Sequence, residues 1–162
     1  MSGKGFRAVL LVALLISGAQ TAVAATSSLS ISGNILLPPP CVINGDQVIT
    51  VDFTNEVMTT RVDGINYRQP VPYTLECSAS STNALKMQIQ GIGAGFAGAL
   101  QTTKGDLGIA LSSDNQGVPV NSWLNFTLPD QPKLFATLVK RPGTILSGGT
   151  FTAAATMVVD YQ

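Results

Sequence analysis

The chain has 162 residues, 11% of them charged, with nine basic and nine acidic side chains in formal balance, two cysteines and no histidine. This composition offers no basic patch for nucleic acid and no imidazole for metal or acid–base chemistry. The length suits one ordinary domain.

Lys4 and Arg7 precede an apolar run over 8–16, and Ala22-Val23-Ala24 closes it with the small-residue pattern of a secretory cleavage site. The expected organisation is a signal peptide at 1–24, an extension at 25–40 and a folded body at 41–162. A cut after Ala25 satisfies the same rule. The apolar run is shorter than the roughly 20 residues that span a bilayer, so the exported chain is expected to be soluble. Without 1–24 it keeps seven basic and nine acidic residues, a formal charge of −2. Cys41 and Cys77 would then meet an oxidising compartment, where a single disulfide is the default. Such a bridge stabilises by roughly 4 kcal/mol on the chain-entropy model. The rival reading, two free or metal-bound thiols, lacks further ligands, because two cysteines alone make a poor zinc site.

Leu29, Ile31, Gly33, Ile35 and Leu37 alternate with Ser30, Ser32, Asn34 and Leu36, which predicts a strand with one apolar edge. Pro38, Pro39 and Pro40 follow it. Three prolines donate no ladder hydrogen bonds and favour an extended path, so this strand reads as an arm set off from the body. In the body, Asn44-Gly45-Asp46 is a turn signal, and Ile49, Val51 and Phe53 alternate with Thr50 and Asp52 as a first strand. Residues 54–70 read as polar and irregular. Further strands are expected over Val71–Cys77, with Pro72 near its start, Leu85–Ile89, Leu107–Leu111, Leu124–Leu128 beside Trp123, and Leu134–Val139. Gly91, Gly93, Gly95 and Gly98 predict a mobile loop. They do not make a phosphate cradle, which needs a following helix and a lysine in register. No long amphipathic helix appears, and strands separated by regular turn signals predict an all-β sandwich.

The last stretch places Phe151, Ala153, Ala155, Met157, Val159 and Tyr161 on one face, from Gly149 onward. A long apolar final strand calls for a partner along its edge, and the sequence supplies none after it. The arm at Leu29 or another chain is expected to take that place.

In this order, the signal peptide, the arm containing Gly33, Cys41 and Cys77, Leu107-Gly108-Ile109-Ala110-Leu111 and the C-terminal run resemble the pilin subunits of chaperone-usher fimbriae. Gly149, fourteenth from the end, and the penultimate Tyr161 follow the family's pattern. Ile31-Ser32-Gly33-Asn34, Pro39-Pro40-Cys41 and Val51-Asp52-Phe53 are similar in particular to small tip-adaptor subunits of P-pilus-like fimbriae. The resemblance implies an incomplete immunoglobulin-like sandwich lacking its last strand, with an N-terminal donor-strand extension. A periplasmic chaperone would fill the groove along Gly149, Phe151, Ala153, Ala155, Met157, Val159 and Tyr161, anchoring the carboxylate of Gln162. At an outer-membrane usher, the arm of a neighbouring subunit would replace it. The donor positions here would be Leu29, Ile31, Gly33, Ile35 and Leu37, and the product would be a fimbrium on the bacterial surface that supports adhesion. Because Ala153 and Ala155 are small, the groove is expected to be wider than is usual in the family.

An alternative reading is an exported binding module that recognises a glycan or host protein through its loops, with Trp123, Tyr67 and Tyr73 available to stack on sugar rings. An enzyme is not expected, and neither is a cofactor, a metal or a small-molecule substrate. Asp46, Asp52, Glu56, Asp63 and Glu76 fall singly in turns or on exposed strand faces rather than as acid–base pairs. The sequon Asn125-Phe126-Thr127 reads as incidental in a bacterial protein.

Overall fold

The computed structural model describes residues 30, 32–33, 41–78 and 83–162. The expected signal peptide and Leu29, Ile31, Ile35 and Leu37 of the expected donor strand lie outside the described residues. The chain forms two units, 1–35 and 36–162, and every described strand belongs to the second.

In chain order the strands are β1 (Cys41–Ile43), β2 (Arg68–Pro70), β3 (Leu75–Cys77), β4 (Ala84–Gln90), β5 (Leu100–Gln101), β6 (Leu107–Ser113), β7 (Gln116–Gly117), β8 (Trp123–Thr127), β9 (Leu134–Lys140) and β10 (Thr156–Tyr161). They pair antiparallel in sheets ordered β10-β4-β8 and β2-β9-β6-β5, with β7 on β6 and β1 on β3. Side chains from the two larger sheets meet in one core, including Met87 and Ile89 of β4, Ile109 and Leu111 of β6, and Leu134, Ala136 and Leu138 of β9. The protein is an all-β sandwich.

Period-two alternation explains β4 directly: Leu85, Met87 and Ile89 are buried while Lys86, Gln88 and Gln90 face outward. In the middle of the other sheet, β6 is buried along almost its whole length. Gly108 within it is required by close approach. A Cβ there would lie 3.0 Å from the Ala99 Cβ and 3.3 Å from both the Ala94 Cβ and the Phe96 ring. The glycine stretch at 91–98 therefore packs across β6 and is pinned. Ala94 N donates to Ala99 O, Gln101 N to Ile92 O, and Val120 N to Gly98 O. Composition alone had suggested a mobile loop.

Cys41 and Cys77 are register partners in the β1–β3 pair, and they are disulfide-bonded. The expected strand over Val71–Cys77 is shorter, because Val71 N donates to Leu134 O and Tyr73 N turns back to Val71 O across Pro72. The segment expected to be irregular, 54–70, contains β2, which pairs with β9 from Arg68 to Pro70. The Asn44-Gly45-Asp46 turn forms with all three residues at positive φ. Among the described residues, no helix is long and apolar enough to cross a membrane.

Candidate functional site

Phe53 is buried and Val51 half-buried, while Thr50 and Asp52 are exposed, so the inward face expected over 49–53 is present. Yet residues 47–54 join no ladder. The expected C-terminal strand is likewise cut in two. Only Thr156–Tyr161 pairs with β4, ending at Thr156 opposite Gln90. On the opposite edge of β4, beside β8, the Asn121 side chain takes both backbone groups of Gly91: Gly91 N donates to Asn121 Oδ1 at 3.0 Å, and Asn121 Nδ2 donates to Gly91 O at 2.9 Å.

These two ladder-free segments face each other across a groove of about 1060 Å³. One wall carries Ile43, Val48, Ile49, Val51, Phe53 and Val57, and the other Gly149, Phe151, Ala153, Ala155 and Met157. The walls run antiparallel. At one end the Tyr161 hydroxyl lies 3.7 Å from Cys41 Sγ, and at the other the rings of Phe53 and Phe151 are 6.0 Å apart between centroids. A strand laid between antiparallel walls is necessarily parallel to one and antiparallel to the other.

The floor is the core itself. Ile89, Leu100, Ile109, Leu111, Leu134 and Ala136 reach the groove from both sheets. Ile89, Ile109 and Leu111 keep 8%, 8% and 9% exposure, whereas Leu85 and Leu138 keep none. The groove is thus an opening in the hydrophobic core, bordered by β10, which has β4 on one side and no strand on the other among the described residues.

Of the expected acceptor positions, Gly149, Phe151, Ala153, Ala155 and Met157 line the groove. Val159 instead packs half-buried against the core, and Tyr161 sits half-buried beside Cys41. Gln162 folds onto the start of β4: its N–H donates to Ala84 O at 3.1 Å and its Nε2 to Leu85 O at 2.5 Å. Gly33 is exposed, with open space where a Cβ would stand. Sequence reasoning missed the opposite wall and the floor. The alternation over 49–53 marked an inward face but carried no signal that its neighbour would be absent.

Other candidate chemistry dissolves into structure. Tyr67 and Tyr73 pack against the core, leaving Trp123, 45% exposed, with Lys86 Nζ 5.0 Å from its ring centroid. Asp63 accepts from the N–H groups of Asn66 and Ile65, and these bonds, Asn66 first, hold its carboxyl below the usual range. Asp52 accepts from Thr54 N at 2.8 Å. Both carboxylates shape turns. No group of three or more metal-ligating side chains is present among the described residues.

A family model described as "Fimbrial protein" matches residues 29–162. Two relatives from Escherichia coli (strain K12) are similar along much of the chain. The uncharacterized fimbrial-like protein YfcR is 45% identical over 77% of this chain and 75% of its own. The uncharacterized fimbrial-like protein YfcQ is 32% identical over 92% of this chain and 96% of its own. Among solved structures, the P pilus adaptor subunit PapF matches with a TM-score of 0.57 and 24% identity, covering 78% of this chain and 98% of that one. The P pilus rod subunit PapA matches with a TM-score of 0.57 and 19% identity over 82% and 99%. At these identities the two structures speak to the fold.

Proposed function

Because the chain belongs to the fimbrial protein family, the pilin subunits of chaperone-usher fimbriae, we propose that its groove accepts a donor strand and that its own arm serves as donor to a neighbouring subunit. A subunit of this family is a structural protein of the surface fimbrium and touches its neighbours there. The finer reading, an adaptor between an adhesin and the tip fibre, is supported by the resemblance of Ile31-Ser32-Gly33-Asn34, Pro39-Pro40-Cys41 and Val51-Asp52-Phe53 to small tip-adaptor subunits. A periplasmic chaperone and an outer-membrane usher complete the proposed route, after removal of 1–24.

One observation carries the acceptor role: a core left open between two antiparallel walls that have no strand between them among the described residues. From Gly149 to Met157 the wall is nine residues long, as is the segment Leu29–Leu37. At about 3.3 Å per residue either spans roughly 30 Å. An added strand gains main-chain hydrogen bonds for affinity and places alternate side chains in the opening for specificity. Four buried Leu or Ile side chains at about 1.5 to 3 kcal/mol each are large beside a domain stability of about 5 to 15 kcal/mol.

The test is capture of a labelled synthetic peptide, residues 28–37, by the purified chain lacking 1–37. Co-elution on a sizing column is expected for this peptide and lost for one carrying Ile31→Asp and Ile35→Asp. Equal behaviour of the two peptides contradicts the acceptor reading.

A further inference from the structure

The two halves of the C-terminal groove wall are held by different means. β10 is fixed by six register pairs with β4. The preceding residues, 149–155, have no ladder, and Phe151 must nevertheless be held at the opening opposite Phe53. Their tether is the turn between β5 and β6. Thr103 N donates to Thr152 O at 2.9 Å, and Thr152 N returns a bond to Thr103 Oγ1 at 3.0 Å. Next to it, Lys104 Nζ donates to Gly148 O at 2.8 Å and lies 3.4 Å from Ser147 Oγ. The same ammonium stands 3.4 Å from where a Cβ on Gly149 would be, and Gly149 has φ +112°, a conformation open to glycine.

The turn is itself rigidly built. Thr102 is buried, and its hydroxyl takes the N–H of Lys104 at 3.0 Å and meets the carbonyls of Leu107 at 2.9 Å and Lys104 at 3.0 Å. Asp106 on the same turn is fixed by Arg141, whose Nε lies 3.0 Å from its carboxylate and whose N–H donates to Asp106 O. A braced turn therefore grips both sides of Gly149, at Gly148 through Lys104 and at Thr152 through Thr103.

We infer that Thr103 and Lys104 are positioning residues that keep the ladder-free half of the acceptor wall ready for an incoming strand. This rests on the strand-acceptor reading. Holding 147–152 in place before binding removes ordering cost from the encounter, and the gain appears in capture. Once a donor strand is seated, its own ladder bonds hold the wall, and the grip becomes largely redundant. This separates positioning from a general contribution to stability.

The experiment measures the capture rate of the 28–37 peptide by the chain lacking 1–37, alongside melting of a version with the same donor strand fused after Gln162 through a flexible linker. Lys104→Met keeps the aliphatic stem and removes the ammonium, and Thr103→Val removes the acceptor for Thr152 N. Each is expected to slow capture about tenfold, as lost charge-assisted or backbone-directed bonds allow. Melting of the fused form should stay within about 2 °C of the parent. Lys104→Arg should restore capture to within about twofold, since its guanidinium can also donate to Gly148 O. Parent-like capture by both Lys104→Met and Thr103→Val overturns the inference. So does a loss of melting temperature as large in the fused chain as in the unfused one, which marks ordinary stabilisation. If the parent captures no peptide at all, the strand-acceptor reading falls and the inference with it.

Discussion

The hydroxyl of Tyr73 donates to Pro132 O at 2.5 Å from a half-buried position, and burial pushes its pKa up to about 12. An unfolded tyrosine titrates near 10. The folded state thus holds the proton more tightly. The stability this provides is complete below about pH 10 and is lost as the pH rises through about 12. Tyr73→Phe should reduce the loss of stability between pH 10 and 12, measured by urea unfolding. It should also cost about 1 to 3 kcal/mol at neutral pH by leaving the Pro132 carbonyl without its partner. An unchanged alkaline slope would contradict this. Asp63 acts with the opposite sign. Its pKa is lowered by the N–H groups of Asn66 and Ile65, so its contribution is present above the ordinary carboxylate range and fades as the pH falls below it.

At the scale of elements, β4 shows how much a strand's two faces differ in weight. Leu85 has no exposure, and Leu85→Ala should cost about 2 to 5 kcal/mol. Its neighbour Lys86 pairs with Asp160 at 3.4 Å, but the two side chains are 30% and 57% exposed. Asp160→Asn should therefore cost less than about 1 kcal/mol. Denaturant unfolding of both variants in the donor-fused chain checks the contrast, and comparable losses would contradict it.

The same strand was legible in the sequence because Leu85, Met87 and Ile89 alternate with polar residues, a local pattern that survives folding. β6 and β9 were legible as short apolar runs bounded by turn residues. The extent of β10 was not. Its ladder ends at Thr156 while the apolar alternation runs on back to Phe151, and a period marks which side chains share a face, not which backbone groups are paired. The pinned glycine stretch was also misread, since its order comes from packing over Gly108 rather than from its own composition. The groove was half legible. Gly149, Phe151, Ala153, Ala155 and Met157 were found from periodicity and the family pattern, while in the wall from Ile43 to Val57 the sequence offers a turn, an ordinary strand at 49–53 and an irregular stretch. Alternation states which side chains face inward and says nothing about which neighbour is missing.

For the whole molecule, the strand-acceptor proposal gives the open core a purpose: it would make the subunit depend on another chain. An edge strand beside an apolar groove is a liability in isolation, inviting aggregation. Filled by a donor strand, as proposed, it would become a joint held by the same burial that holds a domain core. The floor residues Ile89, Ile109 and Leu111, 8%, 8% and 9% exposed, are the ones a seated strand would cover.

Thermal unfolding of residues 25–162, with and without a donor strand fused after Gln162, tests this account most directly. The comparison includes a fused strand whose apolar positions carry charges. The account predicts that the apolar donor alone raises the melting temperature by about 20 °C or more, consistent with several buried side chains in a domain of this size. It also predicts a soluble monomer. An unfused chain that is already a stable monomer, with a melting temperature the apolar donor leaves unchanged, would contradict it.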